Sequence, residues 1–101
     1  MSGFRVSRAA QQDVRGIGQY TQRKWGAAQR GLYLSRLESK FSQLAESPKL
    51  SPERTEFDPP VRIHNYEKHL IVYVADDAGV LIIRVLHESM DLPSRLSLNR
   101  S

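Results

Sequence analysis

No cysteine occurs anywhere in the 101 residues, so neither a disulfide framework nor a thiolate metal site is available. That absence fits a reducing compartment, and a cytoplasmic location is expected. No apolar run reaches the length of a membrane span, and Met1-Ser-Gly-Phe-Arg-Val6 has no basic segment leading into an apolar core. Neither membrane association nor secretion is therefore expected. The chain also lacks a phosphate-cradling glycine loop, a nucleophile elbow and a paired-carboxylate arrangement. His64, His69 and His87 show no ligand spacing of zinc-site type. At this length there is room for one core and too little for a cofactor fold. We expect a single domain over residues 1–101, an ordered core over about 4–92 with a tail at 93–101, no metal and no cofactor.

What is present is ordinary globular composition, 40% hydrophobic and 26% charged, with a basic balance of +4. The excess is arginine, eleven against four lysines. Its planar fork of donors suits phosphates and carboxylates, which makes a nucleic acid or an acidic protein segment the candidate partner.

Gly3-Phe-Arg-Val-Ser7 alternates as a short opening strand, and Ser7 can cap a following helix. Ala10, Val14, Ile17, Thr21 and Trp25 then recur at helical spacing. Gly26 interrupts, and Gly31, Leu34, Leu37, Phe41, Leu44 and Ala45 form a second stripe that ends at Ser47-Pro48. Helices joined by so short a turn should be antiparallel neighbours, with Trp25 and Gly26 as hydrophobic clasp and turn. Residues 48–60 hold four of the five prolines and read as a surface crossover. Val61-Arg-Ile-His-Asn-Tyr66 alternates between an apolar side and one carrying Arg62 and His64. His69–Ala75 and Val80–His87 read as strands joined through the turn signal Asp76-Asp-Ala-Gly79. The expected class is α+β in the order β-α-α-β-β-β, with a helical hairpin on one face of a small antiparallel sheet. The other face, with Arg62 and His64, is expected to stay open for docking.

Several motifs in this order resemble the ParE branch of the RelE/ParE toxin superfamily. They are Val6-Ser-Arg-Ala-Ala10 with Asp13, Ile17 and Tyr20; Trp25-Gly26; Tyr33 with Leu37 and Phe41; and Leu44-Ala45 with Pro48. His69-Leu-Ile-Val-Tyr73 and Arg84-Val-Leu-His-Glu-Ser-Met-Asp91 complete the likeness, which runs from about residue 4 to residue 92. Asp58-Pro59-Pro60 departs from it, since family members often carry a glycine just before the next strand. The resemblance implies a toxin that acts on DNA gyrase by protein contact, without catalysis, and is neutralised by a ParD-like antitoxin in a hetero-oligomer. On this reading the antitoxin, rather than the toxin alone, meets nucleic acid.

Polar residues on otherwise apolar strands give the expected antitoxin surface: Arg62, His64, Tyr73, Arg84, His87 and Glu88. The tail gives the expected target contacts: Met90, Asp91, Leu92, Arg95 and Leu96. Two rivals remain. A RelE-like ribosome-dependent messenger endonuclease would need a base, an acid and cations around a phosphorane, for which Arg62, Arg84 and His87 are a reduced set. A small basic nucleic-acid-binding module would use the arginine- and glutamine-rich outer face of the first helix, although a solvated helix looks the same.

Overall fold

The computed structural model describes residues 3–90 together with Leu92 and Leu96. Strand β1 (Gly3–Val6) leads into helices α1 (Arg8–Trp25) and α2 (Ala27–Glu46). A single 3-10 turn at Pro48–Leu50 follows, and then β2 (Glu53–Arg54), β3 (Val61–Tyr66), β4 (His69–Asp76) and β5 (Gly79–His87). Ser7 caps α1 as its position suggests: its Oγ accepts from the Ala10 amide at 3.0 Å. Gly26, at φ +94°, separates the helices in a backbone conformation that costs glycine little.

The sheet runs in the order β1-β5-β4-β3-β2. Its class and element order are as expected, with two additions. Glu53 and Arg54 pair antiparallel with β3, inside what reads as plain crossover. Strand β1 runs parallel to β5, Val6 beside Ile82, so the sheet is mixed rather than wholly antiparallel. The physical reason is the intervening hairpin: β1 starts the chain on the far edge and its neighbour β5 ends the meander, with no local turn to impose opposite directions. A two-residue loop joins β4 to β5, as Asp76 pairs with Gly79, and the Asp76 carboxylate accepts from the Ala78 amide at 2.9 Å.

Both sheet faces carry apolar side chains. Ile71, Tyr73, Val80, Ile82 and Val85 meet Ala10, Leu37, Phe41, Leu44 and Ala45 of the helices. On the opposite face Val61, Val72 and Leu86 pack with Phe57, flanked by Ile63, Val74, Ile83, Leu92 and Leu96. The expected open cationic face is thus corrected. Arg62 and His64 point to the helix side, where the 48–51 segment binds them, and the far face is the apolar one. The alternation of β3 is as expected, but which set faces the helices depends on where residues 48–51 turn.

Candidate functional site

Beyond Val6 no strand covers β5, and α1 faces its edge instead. Asp13 fills this gap. Its Oδ2 accepts from Arg84 Nε at 2.8 Å and from the Val85 amide at 2.9 Å, and its Oδ1 accepts from Arg84 Nη2 at 2.9 Å. The hydrogen-bonded carboxylate of Asp13 holds the Arg84 guanidinium above its ordinary value. Next to this ion pair a groove of about 940 Å³ opens between α1, α2, the β3–β4 turn and the end of β5.

Its rim is apolar and exposed, with Trp25 at 65%, Tyr20 at 53% and Met90 at 41% accessible. Trp25 is therefore a surface residue of the groove and not the clasp of the hairpin. It stands at the last residue of α1, on the groove lining beside Gln29. Lys24, Arg36 and Lys68 also line the groove, against Glu67. At the floor, Tyr33 Oη lies 2.6 Å from His69 Nδ1. The rings of His69 and His87 stand edge to face at 5.5 Å, and those of Tyr33 and Tyr66 are tilted to each other at 5.8 Å. Burial pushes Tyr33 up to about 12, so it remains a phenol throughout the physiological range.

The residues singled out in the sequence scatter around this site. Arg62 donates to the Ser51 carbonyl at 2.7 Å, and His64 Nδ1 meets the Ser51 hydroxyl at 3.0 Å. Tyr73 is fully buried and donates to the Pro48 carbonyl at 2.7 Å. Arg84 belongs to the Asp13 pair, while His87 and Met90 line the groove and Glu88 is exposed beside it. Leu92 and Leu96 lie against the far apolar face, and Asp91 and Arg95 fall outside the described residues. Tyr20, Trp25, Tyr33 and His69 complete the groove. All four stand in the motifs that carry the family likeness, but their separation along the chain does not show that they meet in one groove. Among the described residues no cluster of three or more His, Cys, Asp or Glu could hold a metal ion, and no helix is long and apolar enough to cross a membrane.

His64 and His69 both sit below the ordinary histidine value because burial disfavours the charged ring, aided by Lys40 for His64 and by His87 for His69, where Glu88 opposes. With folded values below the unfolded 6.5, the unfolded chain takes up the protons first. Stability from these two rings is full above the unfolded value and declines as pH falls from there through the folded values. Thermal unfolding should show a lower Tm at about pH 5.5 than at about pH 7.5, and a His64→Gln/His69→Gln variant should flatten the difference. The lowered carboxylates of Asp76 and Glu56, each bonded to an arginine, act further down, below their unfolded values of 3.8 and 4.5.

Comparison with known proteins agrees with this architecture. Residues 4–92 match the family described as ParE toxin of type II toxin-antitoxin system, parDE. Toxin ParE of Escherichia coli is 36% identical over 99 residues, covering 96% of this chain and 95% of that protein. Toxin ParE1 of Caulobacter vibrioides is 30% identical over 96 residues, covering 95% and 99%. A solved structure described as the chromosomal ParDE TA system from P. aeruginosa superposes with a TM-score of 0.73 over 86% of this chain and 96% of that one, at 16% identity, a likeness of fold. With nearly the whole length matched, this chain belongs to the ParE toxin family of type II toxin-antitoxin systems.

Proposed function

We propose that this ParE-family toxin inhibits DNA gyrase by protein-protein contact and is held inactive by a ParD-type antitoxin seated in the groove. The observation that carries the reading is the groove itself: exposed Tyr20, Trp25 and Met90 beside Lys24, Arg36 and Lys68, in a chain matched to ParE toxins from residue 4 to residue 92. Large aromatics next to cations that form no ion pair among the described residues favour an amphipathic acidic segment. The antitoxin surface is accordingly narrowed to the groove end with His87 and Glu88, since Arg62, His64, Tyr73 and Arg84 are engaged within the fold. Those engagements also argue against catalysis. Arg62 and Arg84, the cations of the reduced ribonuclease set, are tied to Ser51 and Asp13.

Met90 stands at the groove mouth and at the head of the tail, so a segment lying in the groove would cover the first residue of the target surface. Neutralisation by occlusion follows. Purified gyrase should lose supercoiling activity and accumulate cleaved DNA when the chain is added, and the antitoxin should reverse both. Met90→Asp should weaken the inhibition while changing stability by no more than about 0.5 kcal/mol, as for other exposed sites. Unaffected gyrase together with ribosome-dependent messenger cleavage would overturn the proposal.

A further inference from the structure

The floor of the groove carries a more specific chemistry than its rim. The Ser89 backbone amide donates to His87 Nδ1 at 3.1 Å, and the Ser89 hydroxyl lies 2.7 Å from the same nitrogen. A backbone N–H can only donate, so Nδ1 is an acceptor and the neutral His87 ring carries its proton on Nε2. Tyr33 fixes His69 in a similar way. A phenol is a better donor than acceptor, so the short contact between its hydroxyl and His69 Nδ1 places the His69 proton on Nε2 as well. Each ring therefore has only its Nε2–H left to offer, and both rings line the groove.

We propose that His69 and His87 form a carboxylate-binding site for an acidic side chain of the antitoxin segment, and that protonation of His69 tightens the complex. This deepens the reading of the groove given above and rests on it. Two N–H donors suit an acceptor, and the nearby charges agree in sign: Arg36 from α2 and Lys68 from the β3–β4 turn carry no ion pair among the described residues. Glu67 of the same turn and Glu88 beyond β5 are the opposing charges, while Asp13 of α1 is already matched by Arg84 and Lys24 lies further along α1. His69 can accept a second proton without losing its partner, because the Tyr33 hydroxyl need only turn to receive Nδ1–H. The added proton is therefore assigned to His69, whose Nδ1 partner is a hydroxyl that can reverse its role. A carboxylate is favoured over a nucleic-acid phosphate because Tyr20, Trp25 and Met90 form an apolar rim more suited to a peptide than to a charged backbone.

The test titrates the ParD-type antitoxin encoded with this chain onto the full-length toxin at about pH 8 and at about pH 6. Wild type should bind about tenfold more tightly at the lower pH, the scale of one charge-assisted hydrogen bond, and His69→Gln should remove that gain. His64→Gln, at the Ser51 contact, should retain it. Replacing one Glu or Asp of the antitoxin segment by its amide should reproduce the loss. The His69 ring, followed by nuclear magnetic resonance in the unmutated proteins, should titrate at higher pH in the complex than in the free toxin; an unchanged titration overturns the site even if His69→Gln does not fold. Equal affinity at both pH values, or a gain that survives His69→Gln, also overturns the site and leaves the groove reading intact. No complex at either pH defeats the groove reading itself. Binding of a single-stranded RNA to free toxin that is lost in His69→Gln replaces the carboxylate by a phosphate and overturns the assignment.

Discussion

Gly79→Ala is expected to destabilise the protein by about 3 kcal/mol or more, read as a fall in the urea midpoint at constant slope. Gly79 adopts φ +124°, where a Cβ is strained by itself at about 1–3 kcal/mol. A second cost comes from packing. A Cβ there would run into the Gly3 carbonyl, because β1 approaches β5 with Gly3 directly beside Gly79. Relief would require β1 to move away, and β1 carries Phe4, whose ring lies edge to face on Phe41 at 5.5 Å. For a domain of this size the cost corresponds to a Tm lower by about 12–24 °C. Two controls separate the causes. Gly3→Ala meets nothing within 4 Å and should change stability little, while Gly31→Ala, exposed on α2 with equally open surroundings, should be stabilising by about 0.5–1 kcal/mol through helix propensity. A near-neutral Gly79→Ala would mean that the β1–β5 approach is looser than this geometry requires.

Local chemistry made the helices and the β4–β5 hairpin legible. The stripe from Leu37 to Ala45 is buried as its period requires, Ser7 caps, Gly26 turns, and Asp76 to Gly79 reverses the chain in two residues. The pairing of β1 was not legible, since four residues specify a strand but not its neighbour. Polarity misled at β3. Arg62 and His64 looked like a solvent-facing row, yet they meet Ser51 on the helix side, and the apolar partners Val61 and Ile63 turn to the opposite face. A polar residue reports only that it needs partners, which water and a backbone carbonyl supply equally well.

The groove was least legible of all. Tyr20, Trp25, Tyr33, Tyr66, His69 and His87 come from five elements, α1, α2, β3, β4 and β5, and nothing in their order along the chain brings them to one place. Trp25 looked like core because large aromatics usually are. In the fold it instead lines the groove at the end of α1 and stays 65% exposed. The register shift between Val72 and Tyr73 leaves Ile83 without a ladder partner, and the Ile83 carbonyl accepts from the Ser7 hydroxyl at 2.9 Å, pinning the start of α1 to β5.

Asp13→Ala is expected to cost about 2–4 kcal/mol, more than a surface ion pair would. The pair is only partly exposed, with side chains at 29% for Arg84 and 15% for Asp13. One carboxylate satisfies three donors, and its removal leaves a guanidinium and the Val85 amide without their acceptor. The loss of the Val85 contact distinguishes this site from an ordinary salt bridge. Arg84→Leu should cost less than Asp13→Ala, because Asp13 would keep the amide. Asp13→Ala/Arg84→Leu should recover part of the loss of Asp13→Ala, since no unmatched guanidinium remains and apolar side chains replace a desolvated pair. Chemical denaturation of the four proteins closes the cycle; simple additivity of the two single changes would refute the coupling. The same variants bear on the groove. Asp13 lines it, and Val85 lies between Arg84 and the His87 that forms its floor, so a frayed β5 edge should weaken antitoxin binding beyond the loss in stability. Arg84→Leu, in which the amide stays bound, should weaken it less, because the edge of β5 keeps its contact with α1.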